Sequence, residues 1–79
     1  MADKYSEDEL ASRAKSPGWG LMTGRDKPHV TGTLEDVARA AHARAKEGEK
    51  PGTIREIETA VELEMIQLEQ LWMRLGLPM

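Results

Sequence analysis

Only two histidines, His29 and His42, occur among the 79 residues, and cysteine is absent. The pair has no spacing by which two imidazoles share one helix face, so the chain offers no metal-ligand set and no cofactor is expected. Nucleophilic catalysis needs a nucleophile, a base and a group that orients the base. The serines and threonines fall at helix starts and in Gly/Pro-rich stretches, where they nominate no such set, and no enzymatic activity is expected. The run from Gly18 to Gly24 lacks the strand before it and the helix directly after it that a phosphate-binding loop needs. It reads as a turn segment anchored by Trp19.

Among the charged side chains, Glu64 carries the most pointed question. Read as part of a long helix, it lies in the middle of an apolar face with Ile57, Val61, Leu68 and Leu71 around it. Burying a carboxylate costs several kcal/mol unless it is paired or protonated. Arg13, Arg25, Arg39, His42 or Arg44 could pair it, or it lies at a wet edge of the face; a role in setting specificity for a ligand is the alternative. Glu35, Arg39, His42 and Lys46 form a mixed polar stripe that reads as a solvated face. The same stretch, Arg39, His42, Arg44 and Lys46, would serve an alternative function, a DNA-binding transcriptional regulator. Against that, the expected last helix opens Ile54-Arg55-Glu56-Ile57-Glu58, which offers acids to phosphates, and no short turn with a recognition helix follows the middle helix. Nucleic acid is therefore not the expected partner.

Apolar residues hold the remaining signal. Leu63, Ile66 and Met73 lie on the side of the last helix away from its main face. Three apolar residues on one exposed stripe suggest contact with a second chain, a copy or a protein partner, unless the first helix and the Trp19 loop wrap round to cover it. Trp19 joins them if its loop leaves the ring exposed. The reading preferred for Trp19, however, is a ring at least half buried that pins residues 17–24 onto the core. The main face, with Leu68, Leu71 and Trp72 at its centre, is broad enough to suggest a seam between two copies. Glu64 would lie near that interface, and a homodimer would supply burial that a chain this short lacks.

These side chains need elements to hold them. Thr53 and Glu56 spell a capping box, Gly76 and Pro78 a stop, and between them lies a stretch without Gly or Pro, which predicts one helix over 53–75. Ser6 and Glu9 form a second capping box, with Tyr5 and Leu10 at the staple positions, and predict a helix over 6–15 that Pro17-Gly18 ends. Thr33 caps a third over 33–47, whose apolar stripe of Leu34, Val37, Ala38, Ala41 and Ala45 is thin. Residues 16–32 hold four glycines and two prolines and read as a long ordered loop, with a short hairpin of residues 20–22 on 28–31 as the alternative.

The expected architecture is thus an all-α domain over residues 1–79, the middle and last helices forming an antiparallel hairpin. The expected function is that of a small non-enzymatic regulator or adaptor that binds protein. Without cysteines the natural setting is a reducing cytoplasm, and no segment approaches membrane-spanning length.

Overall fold

Capping starts the first and middle helices where the sequence places them, though the first ends at Ser12, short of the expected residue 15. A computed structural model of the chain describes residues 5–24 and 28–78. In α1, Glu7–Ser12, the Ser6 hydroxyl accepts from the Glu9 N–H at 3.1 Å and the Glu9 carboxylate accepts from the Ser6 N–H. In α2, Leu34–Lys46, the Thr33 hydroxyl accepts from the Asp36 N–H at 3.1 Å. The first two N–H groups of α2, which a helix cannot satisfy itself, donate to the carbonyls of Ser16 and Ala14. The end of the first helical segment therefore docks onto the start of the second.

Between these helices the chain forms strands, which overturns the all-α expectation. Trp19–Met22 (β1) and Pro28–Gly32 (β2) pair antiparallel, with Leu21 opposite Val30 and a register shift between Leu21 and Met22. The hairpin kept as an alternative is the one that forms; residues 25–27, Arg25 among them, lie outside the described residues. Thr53–Glu56 (β3) pairs with the other side of β1, giving a three-stranded antiparallel sheet in the order β2-β1-β3. The domain is mixed α/β, not a helical bundle, and the helix expected over 53–75 begins only at α3, Met65–Arg74. A strand stands between α2 and α3, so the two are not a simple helical hairpin.

The physical reason lies in residues 53–63. Thr53, Ile54, Ile57, Thr59 and Val61 are β-branched and favour extended backbone, and Ile54 has Leu21 to pair with. A tight turn follows, closed by the Ala60 N–H donating to the Glu56 carbonyl at 2.7 Å, with Ala60 in the left-handed region at φ 63°. No helix passes through that conformation. The chain then returns along the outer edge of β3: the Glu56 N–H donates to the Val61 carbonyl and the Leu63 N–H to the Ile54 carbonyl.

One face of the sheet is the core. Strand alternation brings Trp19, Leu21 and Ile54 to that face, all fully buried. Leu34, Val37, Ala38 and Ala41 of α2 cover them, and the small alanines let the helix approach closely. Helix α3 packs on α1 and α2, adding Leu68, Leu71 and Trp72 to the same cluster. The Trp72 indole N–H donates to the Ala38 carbonyl at 2.9 Å, which satisfies a buried polar group.

Candidate functional site

Helix α3 is held from both ends. At its start the Gln67 side chain accepts from the Glu64 N–H at 2.8 Å and donates to the Tyr5 carbonyl at 2.9 Å. At its end Arg74 reaches Glu7 at 3.1 Å and Asp8 at 2.7 Å on α1. Fixed in this way, the helix turns Leu68, Leu71 and Trp72 inward. At about 100° per residue, Met65, Glu69, Met73 and Ile66 then fall within one arc of about 100° that begins beside Trp72 and turns away from the core. That arc faces out: Met65 is 50% exposed, Ile66 56% and Met73 68%. Glu69 lies between the two methionines on the wheel, and among the described residues no cation pairs with it.

The structure divides the residues singled out in the sequence. Ile66 and Met73 are together on the exposed arc, but Leu63 is buried, because the return along β3 carries it beneath the sheet edge. Trp19 is 1% exposed and core, as its size required, with the Tyr5 ring edge-on at 6.0 Å; it is no partner anchor. Leu68, Leu71 and Trp72, assigned to a seam between two copies, are covered within one chain. Glu64 lies in no apolar face: it is the exposed residue preceding α3, so the question of a buried carboxylate does not arise.

On α2 the basic residues are largely engaged locally. Arg39 pairs with Glu35 at 2.8 Å, and Arg44 with the Lys50 carbonyl and Glu49. His42 is buried edge-on against Trp72 at 5.3 Å, and its Nε2 meets the Pro78 carbonyl. A carbonyl only accepts, so Nε2 is the donor in this contact. With Ala45 and Lys46 these residues line a mostly apolar cleft of about 300 Å³. Among the described residues, no three His, Cys, Asp or Glu side chains come together as a metal site.

Two features escaped the sequence. The Tyr5 hydroxyl donates to Glu56 at 2.5 Å, beside the Thr59 hydroxyl at 2.8 Å, with the Arg13 guanidinium 4.5 Å over the Tyr5 ring. The hydrogen bond to Glu56 raises the Tyr5 pKa above its usual 10.0, and the same bond holds the Glu56 carboxyl below its ordinary range. A helical reading of 53–56 sends Glu56 elsewhere, so no spacing pointed to the pair. The second is Ile57, 53% exposed on the open face of the sheet, where it packs over the backbone of Gly20. Compared with known proteins, the chain matches no family model, no curated protein and no solved structure.

Proposed function

We propose that this chain is a protein-binding module that receives its partner on the outward arc of α3. The observation that supports this reading is the exposure of Met65, Ile66 and Met73 on one ten-residue helix whose other side is already buried in the core. Scattered exposed apolar residues are ordinary on a folded surface, whereas three on two turns of one helix form a patch. Methionine suits such a surface, because its flexible thioether refits to different partners. The residues able to do chemistry, Tyr5, Glu56 and His42, are held in structural hydrogen bonds, which favours binding over catalysis. No helix among the described residues is long and apolar enough to cross a membrane, and a reducing cytoplasm suits a chain with no cysteine.

Site-specific photo-cross-linking tests the reading. A photoreactive residue at position 66 or 73 should give discrete heavier adducts in cells, and one at position 47, exposed just past the end of α2, should give none. Equal adduct patterns at all three positions would remove the special standing of α3.

A further inference from the structure

The charge within the arc says what kind of partner fits. Of the residues on the arc, Met65, Ile66, Glu69 and Met73, only Glu69 is charged. The arginine at the end of α3, Arg74, is engaged with Glu7 and Asp8. Glu69 stands inside the apolar arc, among the described residues without a cation. An acidic group set among methionines and an isoleucine is complementary to a surface that presents a cation within an apolar stripe. Ile66 and Met73 are seven positions apart, which is about two helical turns or roughly 10 Å. A facing helix repeats its contacts at that interval.

We infer that the α3 arc of Met65, Ile66, Glu69 and Met73 receives a cationic amphipathic helix from another protein, a lysine or arginine of which pairs with Glu69. The inference rests on the docking reading of α3. A second copy of this chain is a poor occupant: two α3 arcs related by a two-fold axis would bring Ile66 onto Met73 and two Glu69 carboxylates together at the centre. Like charges meeting in an apolar contact oppose association.

Fluorescence anisotropy with the full chain and three labelled synthetic peptides of about five helical turns tests this. The peptides are a leucine/lysine amphipathic helix, the same pattern with glutamate for lysine, and a scrambled leucine/lysine sequence with no apolar face. The patterned lysine peptide should bind at least about tenfold more tightly than the other two. Ile66→Ser with Met73→Ser should abolish that binding, and Glu69→Lys should bring the lysine and glutamate peptides to parity or reverse them, with circular dichroism unchanged. Equal binding of the two patterned peptides overturns the charge inference and leaves the docking face standing. Binding of the scrambled peptide as tightly as the patterned one, or of neither patterned peptide, overturns both. A dimer in sedimentation equilibrium that Met73→Ser dissolves assigns the arc to a second copy and also overturns the inference.

Discussion

The Tyr5 hydroxyl and the Glu56 carboxylate meet at 2.5 Å across fifty-one positions of sequence, tying the residue before the α1 cap to the end of β3. The bond fixes the sign of a pH dependence. It raises the Tyr5 pKa and depresses that of Glu56. The depressed carboxylate contributes stability that is present above its unfolded value, 4.5, and lost as pH falls through the lower folded value. The raised phenol contributes stability present below 10.0 and lost as pH rises through its higher folded value. Tyr5→Phe should therefore lower the melting temperature near pH 7, and its deficit against the parent chain should shrink on going to pH 3. Thermal melts at both pH values check this; a deficit that stays constant would show that the bond does not govern the acid limb.

Trp19 supplies the largest fully buried ring of the sheet's inner face. Trp19→Ala should cost about 3–5 kcal/mol, which for a domain of this size approaches the whole stability. Urea unfolding followed by far-ultraviolet circular dichroism measures it. A change below about 0.5 kcal/mol would place the ring outside the core.

Helix α3 has two sides with different duties, and stability separates them. Leu68→Ala should cost about 2–5 kcal/mol, while Ile66→Ser and Met73→Ser should each stay within about 0.5 kcal/mol. Should the exposed pair prove as costly as Leu68, the arc is packed against this chain itself and the docking reading fails.

Backbone conformation gives a prediction of opposite signs. Gly52 has φ 96°, and a Cβ there would lie 2.9 Å from the Met22 carbonyl oxygen, so Gly52→Ala should cost at least about 1–2 kcal/mol. Ala60 already occupies the left-handed region at φ 63°. Ala60→Gly should relieve that strain and raise stability by about 0.5–1 kcal/mol, after the added freedom of the unfolded chain is discounted. Urea midpoints of the two variants should move in opposite directions.

These same residues show where the sequence is readable. Ser6 and Thr33 are caps in the structure because a cap depends on neighbours three positions away. Thr53 and Glu56 carry the same letters, yet Ile54 has a cross-strand partner in Leu21, thirty-three positions back, and tertiary pairing overrides the local signal. Ile54, Ile57 and Val61 satisfy a helical period and also suit a strand and its return, so periodicity could not separate the two. Ile66 and Met73 were legible as exposed because they lie within the true helix. Leu63 was not, since its burial depends on the turn at Ala60, and the misplacement of Glu64 follows from the same turn.

The return of residues 61–63 along β3 has a consequence for how copies of this sheet can join. It occupies one margin with a chain already in place, through the Arg55–Glu62 bridge and the flanking backbone bonds. In the strand order, β2 is the opposite margin, and its first residue, Pro28, has no N–H to give. Among the described residues, neither margin offers a long row of backbone donors and acceptors: one ends in a three-residue return and the other opens on a proline. Short and interrupted margins of this kind work against strand addition between copies.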